Sequence, residues 1–346
     1  MSKIRSALLA ALIGATSMII ALDQVRAEDK SLTFVSYQGT LQDSQIKAWQ
    51  QPYTASQNVQ FENDSPPDGA KLKAMVEAGA VSWDVMDQGA AFAEQNCGKL
   101  LEKLDFSKID TSQFPAGSVS DCGLPVYFFA LTFVYNTEKY KDHPPTKLAD
   151  FFDLKNFPGT RVLPPDISLG TLEYALMADG VDAKNLYPID VDRALKKLDT
   201  IKSSIIFTKT NGALQQALVD GQADMGFAVT GRVIASAKAG APIAPVWDKT
   251  ILGWDALIVP KGTPNLTTAM DFVQFVSRPE QNKRFAELAG VIAATSKATP
   301  DYSDLNKTFN PRLHDETGDR VLLSNVKWWA ANLNSVIAKV TPWMSR

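Results

Sequence analysis

Gly123-Leu124-Pro125-Val126-Tyr127-Phe128-Phe129-Ala130-Leu131-Thr132-Phe133-Val134-Tyr135-Asn136 carries no charge and is rich in strand-forming residues. A strand seldom exceeds about 10 residues, so the stretch predicts two strands that cross between two domains. A second apolar run, Leu252-Gly253-Trp254-Asp255-Ala256-Leu257-Ile258-Val259-Pro260, would return the chain to the first domain. Upstream, strands are expected at 32–37, 59–61 and 83–86, separated by helices at 45–54 and 70–79. Downstream, strands at 161–163 and 223–228 alternate with helices at 172–177, 190–201 and 213–220. Helices follow at 267–276 and 326–344. Strand–helix alternation on both sides of the crossings argues for an α/β fold of two lobes, each a mostly parallel sheet flanked by helices. The expected limits are 28–132 plus 257–310 for lobe 1 and 133–256 plus 311–346 for lobe 2. Ligands of such folds sit between domains and at the carboxyl ends of parallel strands.

The chain has 346 residues, 45% hydrophobic and 21% charged, with 35 basic and 38 acidic residues. That is ordinary globular composition, and the absence of any basic block argues against a nucleic-acid partner. Lys3 and Arg5 precede an uncharged apolar run from Ala7 to Leu22, and Val25-Arg26-Ala27 offers a small-x-small cleavage site. This is the pattern of a secretory signal peptide over 1–27; the run is too short for the roughly 20 residues a spanning helix needs. Export places Cys97 and Cys122 in an oxidising compartment, where they are expected to pair. The alternative is two buried free thiols.

Several segments resemble the spermidine/putrescine-binding proteins of bacterial ABC importers. They are Phe34-Val35-Ser36-Tyr37, Trp83-Asp84-Val85-Met86, Gly123-Leu124-Pro125-Val126-Tyr127, Phe157-Pro158-Gly159, Gly221-Gln222-Ala223-Asp224-Met225-Gly226, Gly240-Ala241-Pro242-Ile243 and Asp271-Phe272-Val273-Gln274-Phe275-Val276-Ser277-Arg278-Pro279-Glu280. The likeness lies in their order and spacing across nearly the whole chain. It implies the two-lobed periplasmic binding protein fold of the second type, a cleft that closes on an amine, an inner-membrane permease as partner, and no cofactor. A monomer in the periplasm is expected.

The resemblance also implies site residues. Tyr37, with Gln38 beside it, stands where the family has an aromatic after its first strand. Trp254 and Asp255 match an aromatic–acid cation clamp, here without an intervening residue. The lobe-2 helix opens Asp166-Ile167-Ser168-Leu169-Gly170-Thr171, with Gly170 where the family has a second acid. Polyamine binders carry a tryptophan just before the glycine that follows the lobe-2 strand; here Val229-Thr230-Gly231 is followed by Arg232. An aromatic and an acid are lost and a cation is gained. Polyamines have an ammonium at each end, and an arginine in the cleft would repel one of them. A ligand with one ammonium and one carboxylate fits instead: Asp255 and Trp254 for the ammonium, Arg232 for the carboxylate, and the amides of Ser168, Leu169 and Gly170 beside it. An ω-amino acid such as 4-aminobutyrate (GABA) is expected, as in the GABA-binding branch of the group; a polyamine is the alternative.

Blander readings stand beside these. Arg232 could be a surface residue opening a helix, Asp255 a turn cap, Tyr37 core lining, and Ser168 a plain N-cap. Phe92 and Tyr127 are weaker lining candidates, and Trp328 and Trp329 read as packing. The sequence lacks GxSxG, HExxH, Walker A and GxGxxG motifs, which argues against an enzyme. A ferric-ion binder would need tyrosines such as Tyr135, Tyr140 and Tyr174 gathered in space.

Overall fold

The computed structural model describes residues 30–345, so the expected signal peptide lies outside the described residues. Eleven strands form one mixed sheet. They are β1 (Lys30–Val35), β2 (Val59–Asp64), β3 (Val85–Gly89), β4 (Leu124–Asn136), β5 (Arg161–Leu163), β6 (Ile205–Phe207), β7 (Met225–Val229), β8 (Ile243–Pro245), β9 (Thr250–Ile258), β10 (Ile292–Ala293) and β11 (Val321–Leu323). The main order is β2-β1-β3-β9-β4-β7-β5-β6, with β8 and β10 added to β4 and β11 to β9. The outer pairs β1–β2, β1–β3, β5–β6 and β5–β7 are parallel, as alternation with helices requires. The central pairs β3–β9, β4–β9 and β4–β7 are antiparallel. The parallel character expected of each lobe therefore holds at its outer strands and reverses where the chain crosses.

The apolar run at 123–136 is one strand, not two. β4 spans 13 residues because both of its ends find partners: its first half pairs with β9 and β10, its second with β7 and β8. A register shift between Pro125 and Tyr127 bends it near its start.

Two main cores form on this frame. Phe34, Trp49, Phe128, Trp254, Leu257, Phe272 and Phe285 belong to the first; Leu131, Phe151, Tyr174, Leu198, Phe227, Ile251, Trp329 and Trp343 to the second. Packing changes core between Ala130 and Leu131 on β4 and between Ile251 and Leu252 on β9. We propose these points as the limits of the lobes; the 132/133 and 256/257 expected from sequence lie a few residues further along. Leu305 and Phe309 pack with Val134 and Leu214, which on the same proposal puts the final return before 310. Tyr174, fully buried, ties the two strands just inside lobe 2: its hydroxyl donates to the Leu131 carbonyl and accepts from the Ile251 N–H at 3.1 Å.

Cys97 and Cys122 are bonded, with Cα atoms 5.4 Å apart. The bond joins the end of the helix Ala90–Asn96, which follows β3 directly, to the start of β4. The long helix Val326–Met344 packs against Ala90–Asn96 in lobe 1 and contributes Trp329, Val336, Val340 and Trp343 to the lobe-2 core. Trp329 donates to Glu173 at 2.8 Å, and Trp328 packs against Tyr187, so both tryptophans serve packing.

Candidate functional site

Alternation along strands builds the site. On β3, Val85 and Asp87 share a face; on β9, Asp255 and Leu257 share it. Tyr127 on β4 lies directly opposite Asp255. Its hydroxyl donates to Asp255 Oδ2 at 2.5 Å. Asp87 is fully buried and accepts from Ser36 Oγ at 3.2 Å and Gln45 Nε2 at 2.5 Å. Its second oxygen, Oδ1, is buried without a hydrogen-bond partner. Among the described residues neither carboxylate has a cation within ion-pair distance.

Burying two acids together makes ionisation costly. Burial pushes Asp255 up to about 6, opposed by the Tyr127 hydrogen bond. Asp87 is pushed well above the usual carboxylate range by burial first and by the charge of Asp255 second, against hydrogen bonds from Gln45, Ser36 and Tyr127. Tyr127 is held above the ordinary phenol range by burial and by both acids. Such a cluster lacks one thing, a positive charge.

Tyr37 sits where solvent meets this cluster. It is 37% exposed, and its hydroxyl donates to Gln88 Oε1 at 3.1 Å. Yet its phenol is pushed far up by burial and by the charges of Asp255, Asp87 and Asp166. Exposure and a burial penalty coexist in a cleft, where a side chain meets solvent on one side and is crowded by protein on the others. The charge of Asp166, on the loop after β5, is among those that act on the Tyr37 phenol. Gln38 is exposed beside Tyr37.

The lobe-2 wall carries the remaining expected residues. Asp166 caps the short helix Ile167–Leu169, accepting from Ser168 N–H at 2.9 Å and Ser168 Oγ at 2.7 Å. Ser168 and Leu169 are half-buried. Gly170 has φ +114°, and a Cβ there would come within 3.0 Å of Ile251 Cβ. Glycine is needed there because β9 passes beneath the loop. The helix Thr230–Lys238 starts at the end of β7. The Thr230 hydroxyl accepts from Ala130 N–H at 2.9 Å and donates to its carbonyl at 3.2 Å, fixing the first turn on the crossing strand. A side chain on Gly231 would meet open space. Arg232, next along, is exposed, and its Nη1 donates to Gln215 Oε1 at 3.2 Å. Arg232 and Asp255 are thus not partners of one another.

Trp254 does not join Asp255. Adjacent strand residues face opposite ways, and Trp254 is 4% exposed in the lobe-1 core, donating to the Ser118 carbonyl at 3.1 Å. A clamp on one face needs spacing of two, and that position is Gly253. Phe92 packs over Gly69 at the edge of a separate cluster. Sequence reasoning missed Asp87 altogether and ranked Tyr127 low. Period-two alternation across the expected 83–86 strand, carried one residue further, was the signal for Asp87. The tyrosines of the ferric reading have other tasks: Tyr174 ties the crossing strands, Tyr140 donates to the Pro158 carbonyl, and Tyr135 packs at the lobe-2 core.

Residues 48–309 match the model of the bacterial extracellular solute-binding protein family. The chain belongs to that family. It is 35% identical over 270 residues, 76% of either chain, to the gamma-aminobutyric acid-binding protein of Pseudomonas aeruginosa PAO1. It is 23% identical over 244 residues to the spermidine/putrescine-binding periplasmic protein of Escherichia coli K12, covering 66% of this chain and 67% of that one. A solved GABA receptor superposes with a TM-score of 0.83 at 33% identity, covering 91% of this chain and 98% of its own. The solute-binding protein is the extracytoplasmic receptor of an ABC transporter, and its relatives are binding proteins rather than enzymes.

Proposed function

We propose that this solute-binding protein captures a small ω-amino acid, GABA or a close homologue, and hands it to an inner-membrane permease. One observation carries the reading: two buried carboxylates, Asp87 and Asp255, meet at Tyr127 without a cation, one of them with an unpartnered oxygen. A ligand ammonium supplies the missing charge. At an effective dielectric near 20, an ammonium about 4 Å from one carboxylate gains roughly 4 kcal/mol. The other end of the ligand falls to lobe 2. Arg232 needs only to leave Gln215, and the first turn of Thr230–Lys238 adds free amides for a carboxylate. Bridging the lobes tips a pre-existing open–closed equilibrium toward the closed form. No bond is made or broken. The protein acts as a monomer in the periplasm after removal of residues 1–27. The names of the 35% identical relative and of the solved receptor support GABA.

Asp166 favours a second reading. An acid on the loop after β5 whose charge acts on the same tyrosine as the Asp87–Asp255 pair suits a ligand with two ammonium groups, a polyamine. Calorimetry with GABA and putrescine on the wild type and on Arg232→Ala separates the two. The ω-amino acid reading expects GABA to bind and Arg232→Ala to weaken it at least about tenfold, the cost of losing a charged hydrogen bond. Tight putrescine binding without GABA binding, or unchanged GABA affinity in the variant, defeats it.

A further inference from the structure

The two crossing strands are buried except at one place inside them and at the far end of β4. From Leu124 to Val134, Phe129 alone is partly open to solvent; along β9, Gly253 alone is. These two residues are register partners. They lie one or two positions from where both strands change from one core to the other. The shared opening is therefore the bottom of the cleft between the lobes.

Phe129 fills it. A Cβ on Gly253 would come within 2.6 Å of both Cε2 and Cζ of Phe129, so the ring lies across the glycine. The next pair on the same face is Tyr127 and Asp255, about 7 Å along the strands at the usual rise. A cation held at Asp255 is then within reach of the ring, whose face attracts ammonium groups at up to about 6 Å.

We infer that Phe129 is a specificity-determining residue: its ring, seated on Gly253, is the aromatic floor that receives the amine end of the ligand and limits how long a ligand the closed cleft accepts. The glycine and the phenylalanine act as a unit, one giving the space that the other occupies. The inference rests on the amine-binding reading but not on the choice between an ω-amino acid and a diamine.

Titration of the full-length mature protein with GABA, 5-aminovalerate and putrescine tests it, with melting temperature as the check on folding. Phe129→Tyr keeps the aromatic face and is expected to hold affinity within about threefold. Phe129→Leu keeps bulk but removes the face and is expected to weaken the bound amine about tenfold. Phe129→Ala deepens the cleft and is expected to move the ranking toward 5-aminovalerate by about fivefold relative to GABA. Gly253→Ala lifts the ring without removing it and is expected to weaken the longer ligand most. Wild-type affinities and ranking in the Leu, Ala and Gly253 variants overturn the role of Phe129 while leaving the amine reading in place. A wild type that binds none of the three amines overturns the amine reading, and this inference with it.

Discussion

Ligand capture should expel protons from the acid cluster. Asp255 is moved by burial from an ordinary 3.8 to about 6, a displacement worth about 3 kcal/mol. A carboxyl held above its ordinary value destabilises the fold once the unfolded chain has ionised. In the empty protein the loss opens above about pH 4 and is complete above about pH 6. Asp87, displaced in the same direction, extends the loss upward. An ammonium arriving at the cluster reverses the preference and favours both ionised forms. Below about pH 6 each binding event must therefore release a proton, and affinity should fall about tenfold between pH 7 and pH 5. The perturbation is pH, and the assay is calorimetry of GABA binding at both values in two buffers of different ionisation enthalpy. At pH 5 the observed heat should depend on the buffer, and Asp255→Asn should reduce that dependence as well as the affinity. Equal affinity at both pH values, with heat independent of buffer, refutes the cation-binding role of the cluster.

Two further outcomes are expected. Trp254→Phe leaves the Ser118 carbonyl without its donor and should cost about 1–2 kcal/mol of stability in denaturant melts; GABA affinity should stay within about twofold, and a larger loss would return Trp254 to the site. Reducing the Cys97–Cys122 bond, which spans 25 positions, should lower stability by about 3 kcal/mol on the loop-entropy model and the melting temperature by roughly 5 °C, read by calorimetry with and without reductant.

Much of the architecture was legible because long apolar runs and strand–helix alternation report directly on burial. The run at 123–136 announced the crossing. Its single-strand form was hidden because typical strand length reflects domains with edges, whereas β4 runs through the middle of two lobes and is paired throughout. At the site, Asp255 and Tyr37 were reached through the family resemblance, Tyr37 after the first strand and Asp255 within the second apolar run. Trp254 misled because adjacency in sequence was read as adjacency in space, which a strand forbids. Asp87 and Phe129 were hidden for the opposite reason: each is ordinary in its own segment and becomes notable only beside Asp255 and Gly253, on strands far away in sequence. Gly170 stood out as the place of a lost acid; the side chain of Ile251 that crowds it lies far away in sequence, and no local pattern reports it.

The helix Val326–Met344 lies against Ala90–Asn96 of one lobe while its far half is built into the core of the other. A jaw carried on two strands alone could swing and twist freely. Bracing by a third member makes twisting expensive and leaves one cheap direction of travel. Recognition by a membrane complex would benefit, because every shut molecule then offers the same outline whatever path it took to shut.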